Sequence, residues 1–97
     1  MNTSVTLLAS CTTSTPTDFS GVNIHAYKIL FLSAGTSRGN YCSNIAFSCL
    51  IPDYIIGLHC ACFNTSGTVV GGADADFYSS KLSARNTTYP AYLYGIN

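Results

Sequence analysis

Asp74 and Asp76 alternate with alanines in "GGADADF", so on a strand both carboxylates leave the same face. Two carboxylates on one face suggest either a glycosidase pair, one group protonated and one ionised, or the start of a calcium site. The chain has no Glu, and its four Asp are Asp18, Asp53, Asp74 and Asp76. A calcium loop needs more ligands than this single motif supplies, so the plainer reading is a strand edge kept soluble by two charges. His25 and His59 are the candidate bases, and neither stands near a GxSxG-like nucleophile turn. A dyad of His59 with Cys60 or Cys62 needs a thiolate, whereas a thiol in an apolar strand stays protonated. His59, Cys60, Cys62 and Cys49 are zinc-ligand types, but burial of the thiols as small hydrophobes, with His59 at a core or edge position, is the simpler account. No nucleophile, base and orienting group come together. The sequence therefore predicts a protein that is not an enzyme, with no catalytic residue, metal or cofactor.

Five cysteines, at positions 11, 42, 49, 60 and 62, are an odd number without CxxC spacing and do not read as a disulfide framework. Cys60 and Cys62, two apart on one strand, stand about 6.5 to 7 Å from each other, at or beyond the reach of a bridge. A chain made in a reducing cytoplasm fits this usage. The 97 residues make one domain over 1–97, 47% apolar but only 8% charged, with 23 Ser and Thr and no net charge. An uncharged, hydroxyl-rich exterior suits self-association. Lys28, Arg38, Lys81 and Arg85 are scattered singly, which excludes a basic stripe for nucleic acid. The apolar runs are too short to span a bilayer, and "MNTSVTLLAS" lacks the features of a signal peptide.

The elements that must position these residues are strands. Period-two segments bounded by turn residues recur along the chain, and no helical repeat with caps is present. Strands are predicted over 5–10, 27–34, 41–50, 55–63, 68–70, 74–79 and 91–96. "TSTPTD", "AGTSRGN", "IPD", "NTSG", "GG" and "ARNTTYP" form the turns between them. In the third strand Tyr41, Ser43, Ile45, Phe47 and Cys49 share the face assigned to the core. "YKILFLSA" is apolar on both faces, with Tyr27, Ile29 and Phe31 opposed by Leu30 and Leu32, as for a strand that lies between two sheets or between a sheet and a partner chain. The predicted fold is all-β, an antiparallel two-sheet β-sandwich, jelly-roll-like, of about seven or eight strands.

Two loops carry groups suited to sugars. Arg38, Asn40 and Tyr41 in one, and Arg85, Asn86 and Tyr89 in the other, combine planar hydrogen-bonding groups with a ring that stacks on a sugar face. Ordinary polar turns are the competing reading of both. "YPAYLYGIN" holds three tyrosines and an isoleucine without a charge, and a strand there leaves one apolar face bare in a monomer. Leu30, Leu32, Tyr92, Tyr94 and Ile96 are accordingly the oligomer-interface candidates.

The order of these features resembles the C-terminal domain of phage tail-fibre and tail-tip receptor-binding proteins. A strand opens on Tyr27-Lys28, an Ile51-Pro52 step follows, and the chain closes on Tyr94-Gly95-Ile96. The resemblance implies a homotrimeric virion module at the tip of a fibre, synthesised in the host cytoplasm and touching host-surface glycan or envelope through its loops. It implies no catalytic residues. The alternative is a small two-repeat carbohydrate-binding lectin resembling cyanovirin, prompted by an echo at an offset of 51 that pairs, among others, Leu7 with Leu58, Cys11 with Cys62, Tyr41 with Tyr92 and Ile45 with Ile96. A structural virion decoration protein without a receptor is a further alternative.

Overall fold

The computed structural model describes residues 4–35, 41–43, 45–48 and 57–97. Nine strands occur among them: β1 (Val5–Cys11), β2 (Thr17–Asp18), β3 (Ile29–Ala34), β4 (Tyr41–Ser43), β5 (Ile45–Ser48), β6 (Gly57–Phe63), β7 (Val69–Asp76), β8 (Lys81–Ala84) and β9 (Ala91–Ile96). One 3-10 turn, Ile24–Ala26, is capped by Asn23, whose side chain accepts from the His25 N–H. The strands form two antiparallel sheets, of order β1-β9-β3-β5 and β2-β8-β7-β6-β4. The all-β two-sheet prediction therefore holds, with nine strands among the described residues where about seven or eight are predicted.

Strands β1 and β2 run opposite β9 and β8, so this ribbon starts in the first sheet and ends in the second. That wrapped ribbon is the jelly-roll feature of the fold. Its crossing between sheets is tied down locally. The Thr17 hydroxyl donates to the Ser10 carbonyl, and the Cys11 thiol reaches the carbonyls of Thr13 and Thr15 at 3.3 and 3.4 Å. The centre of the second sheet is a meander, β6 to β7 to β8, with β4 added beside β6. No comparable hairpin joins β1, β2 and β3, so the echo between the two halves does not extend to their connectivity.

Period two decides which residues meet between the sheets. Leu30, Leu32 and Ala34 from β3 and Ala91 and Leu93 from β9 meet Leu58, Cys60 and Cys62 from β6, Ala73 and Ala75 from β7, and Leu82 from β8. Small residues dominate this core, so the sheets approach closely and the thiols fill space as apolar groups, as the composition predicted. Burying a leucine of this kind is worth roughly 1.5 to 3 kcal/mol relative to exposure. Gly95 also points inward, and a Cβ there would stand 2.5 Å from two atoms of the Tyr27 ring. Tyr27 thus closes the core over Gly95. It does not share the outer face with Ile29 and Phe31, because strand alternation begins only at Ile29, after the 3-10 turn.

Three further expectations are corrected. The predicted strand 41–50 is two strands: Tyr41–Ser43 pairs with β6 in one sheet and Ile45–Ser48 with β3 in the other, so the chain changes sheets within it. "GG" is not a turn, since β7 runs unbroken through Gly71 and Gly72. A Cβ at Gly71 would meet the Tyr89 ring at 2.8 Å, and one at Gly72 would meet the Arg85 guanidinium at 3.0 Å. These glycines make room for two large side chains inside a strand. The turn lies instead at 77–80, where Asp76 Oδ1 accepts from the Tyr78 and Ser79 N–H groups and Ser80 adopts a φ of 56°. Finally, "TSTPTD" is not wholly a turn, since Thr17–Asp18 is the short strand β2, and the segment Lys81–Ala84, assigned no element by the sequence pattern, is strand β8.

Candidate functional site

The two outer faces of the sandwich differ in chemistry. Along β6, β7 and β8 the residues between core positions include His59, Asp74, Asp76, Lys81 and Ser83, with Ala61 an apolar member of the same set. His59 pairs across strands with Asp74, and Asp74 with Ser83. Arg85, just past β8, folds back over Gly72 and grips Asp74 with two bonds, Nε to Oδ2 at 2.9 Å and Nη2 to Oδ1 at 2.7 Å. His59 Nδ1 lies 2.7 Å from the same Oδ1. An ionised carboxylate only accepts, so Nδ1 carries the proton and donates. The bidentate guanidinium, with the His59 bond adding to it, holds the Asp74 carboxyl below its ordinary 3.8 against a smaller opposing effect of burial. Asp74 in turn raises the Arg85 pKa.

At either side of this cluster the acids are fixed by turns. Asp18 is held far below the usual carboxylate range by the Ser20 hydroxyl and N–H, with Lys81 at 2.9 Å adding to the effect. Asp76 is lowered by the Ser79 hydroxyl and backbone. Asp74 and Asp76 therefore do not guard an edge. Strand β7 lies inside its sheet, between β8 and β6, and the two carboxylates project from its outer face. His59 is likewise neither core nor edge: β6 is interior to the sheet, and the His59 side chain is 62% exposed. The cluster has an acid orienting an imidazole. Among the described residues no group of three potential metal ligands converges.

The four-stranded sheet presents the opposite chemistry. Not one residue of β1, β3, β5 or β9 is charged. On its outer face Ile96 stands between Val5 and Ile29, and Tyr94 between Leu7 and Phe31. Tyr92 extends the row, its ring centroid 6.2 Å from that of Tyr94, and Phe31 lies 6.4 Å from Tyr94. Val5, Leu7 and Ile29 are 62%, 53% and 37% exposed. These neighbours shield each other laterally, while nothing in the chain's described part covers the face from above. Tyr92, Tyr94 and Ile96 thus occupy an available surface. Leu30 and Leu32 do not: both are 0% exposed, facing the second sheet, so their assignment to an interface is corrected to Ile29 and Phe31 on the opposite side of β3.

The two loops named from sequence fare differently. Arg38 and Asn40 lie outside the described residues, and Tyr41 falls within β4, opposite Phe63. In the second loop Asn86 is engaged at both ends, its Nδ2 donating to the Val70 carbonyl and its Oδ1 accepting from the Thr88 N–H. Tyr89 packs on Gly71, and Arg85 is bound to Asp74. The sequence placed Arg85 in a sugar-binding loop and Asp74 on an edge, and missed their pairing. The signal was present in "GGADAD", because a glycine two residues before the acid, Gly72, leaves space for the long Arg85 side chain that follows β8.

Comparison with protein-family models, curated proteins and solved structures finds no match to this chain.

Proposed function

We propose that the protein is a non-catalytic assembly module, a β-sandwich joined to further copies of itself through the outer face of its four-stranded sheet. The observation carrying this reading is the segregation of charge. Every charged residue within a described strand, namely Asp18, Asp74, Asp76 and Lys81, belongs to the five-stranded sheet, whereas the other sheet offers Val5, Leu7, Ile29, Phe31, Tyr92, Tyr94 and Ile96. Exposed contiguous apolar surface of this kind marks interaction sites, and aromatic residues without charges are what interface centres use. A second copy is the natural occupant, because the patch is uncharged and made mainly of hydrocarbon and phenol, with Ser10 and Ser33 beside Tyr92. Closed association of three copies covers it without generating a filament.

In this reading the resemblance to phage tail-fibre tips supplies the setting, a homotrimeric virion component whose loops meet a host-surface glycan or envelope component. In the loop at 85–90 Arg85 and Asn86 are bonded within the chain, so that contact rests mainly on Arg38, Asn40 and Tyr41. Sedimentation equilibrium tests the assembly. The intact protein is expected as a trimer at micromolar concentration, and a monomer there overturns the proposal. Attachment tests the setting separately: Arg38→Ala with Asn40→Ala should lower binding to host cells while the trimer persists. Unchanged binding leaves an assembly module without a receptor role.

A further inference from the structure

Among the described strands β4 is the outermost of the five-stranded sheet, and its register sets Cys42 directly opposite Cys62 of β6. Residues directly opposed in an antiparallel pair have α-carbons about 4.5 or about 5.5 Å apart, depending on whether they exchange hydrogen bonds. Both distances lie within the roughly 4.4 to 6.8 Å that a disulfide spans. No other pair of cysteines is register-opposed among the described strands: Cys60 faces Ala73, and Cys11 faces Ala91. Cys62 acts as a thiol here, its Sγ donating to the Gly35 carbonyl at 3.1 Å.

We infer that Cys42 and Cys62 form a reversible cross-strand disulfide that locks strand β4 onto β6. Opposed β-carbons on antiparallel strands stand about 4.5 to 5.5 Å apart, wider than the roughly 3.8 Å of a relaxed bridge. Closing the bond therefore draws the strands together, and a strained disulfide is one that cellular thiols reopen. The oxidant is a small-molecule disulfide such as oxidised glutathione. One cysteine thiolate attacks it, forming a mixed disulfide and releasing one glutathione. The second thiolate attacks the protein sulfur of that mixed disulfide, releasing the other glutathione. The two cysteines lose two protons and two electrons in all, and the oxidant is reduced to two thiols. Cys62 is wholly buried, so the reaction requires a local opening of the sheet beside it, which the outer strand of a sheet makes more readily than its core does. The bridge is open where glutathione is mostly reduced and closed in oxidising surroundings.

The test incubates the intact protein, without denaturant, in oxidised glutathione and then maps it by mass spectrometry after blocking remaining thiols. The expected product has lost two hydrogens and joins the peptide holding Cys42 to that holding Cys62. Dithiothreitol should reverse it, and amide exchange at Tyr41, Cys42 and Ser43 should slow in the oxidised form. Cys60→Ser should still form the bridge and Cys42→Ser should not. A linkage through Cys11, Cys49 or Cys60, or five intact thiols after oxidation, overturns the inference. The wild-type map decides this even if a variant fails to fold.

Discussion

Gly95 shows how much one absent methyl group can decide. Its position lies under the Tyr27 ring, so Gly95→Ala forces a ring or a strand to move. Overpacking of this kind costs about 1 to 3 kcal/mol, which chemical denaturation would read as a lowered midpoint. Combining it with Tyr27→Leu should recover part of the loss, because the smaller side chain vacates the contact. Asp74 is the corresponding residue on the outer face. Its folded pKa is depressed, so it contributes stability above its unfolded value near 3.8, and that contribution disappears as pH falls through the lowered folded value. Asp74→Asn is accordingly expected to be less stable than wild type at pH 7 by about 1 kcal/mol, the upper range for partly exposed pairs. Thermal melts should show the two proteins converging below pH 3.8. A gap that stays constant into acid would mean that Asp74 acts through packing alone.

Strand β9 separates the two functions of the first sheet by alternation. Leu93 faces the core, fully buried, and Leu93→Ala should cost about 2 to 5 kcal/mol of unfolding free energy. Tyr94 and Ile96 face outward, so replacing both with Ser should weaken the oligomer while the β-sheet circular dichroism and the monomer's denaturation midpoint change little. An assembly unaffected by that double substitution would place the contact elsewhere. This alternation was legible in "YPAYLYGIN", as were β1, most of β3 and the thiol-bearing part of β6, because a half-buried strand writes its burial into period two. What period two does not write is which sheet a strand joins. The stretch 41–48 reads as one strand although it changes sheets, because the sheet change leaves no Gly or Pro in its sequence. Leu30 and Leu32 were placed at an interface because β3 is apolar on both faces, and alternation alone cannot say which face meets the second sheet. Asp74 and His59 come from two different strands and Arg85 from the segment just past a third, and pairing between strands is carried by register, which no local pattern encodes.

At the scale of the molecule, charge lies on one side and hydrocarbon on the other. An interface built on the uncharged sheet should depend little on ordinary salt, since there are no ion pairs for it to screen, and should tighten in sulfate, which strengthens apolar burial. Sedimentation in sodium chloride and then in sodium sulfate would read both effects. Dissociation by sodium chloride would point to the polar face, with its Asp74, Arg85 and His59, as the contact. Raising the concentration of intact protein should in either case favour the oligomer and raise its melting temperature, because association adds to stability by mass action.

The ninth strand in chain order is a central one in its sheet, with β1 on one side and β3 on the other. Neither neighbour has its full set of backbone partners until residues 91–96 have left the ribosome. Before then β1 must wait, unpaired in its own sheet, with Val5 and Leu7 already made. Synthesis from the N-terminus therefore cannot complete this sheet strand by strand. The meander of β6, β7 and β8 has partners as it emerges, whereas the four-stranded sheet closes in a late step around β9, and holding the nascent chain short of Ala91 would leave that half of the sandwich open to proteolysis.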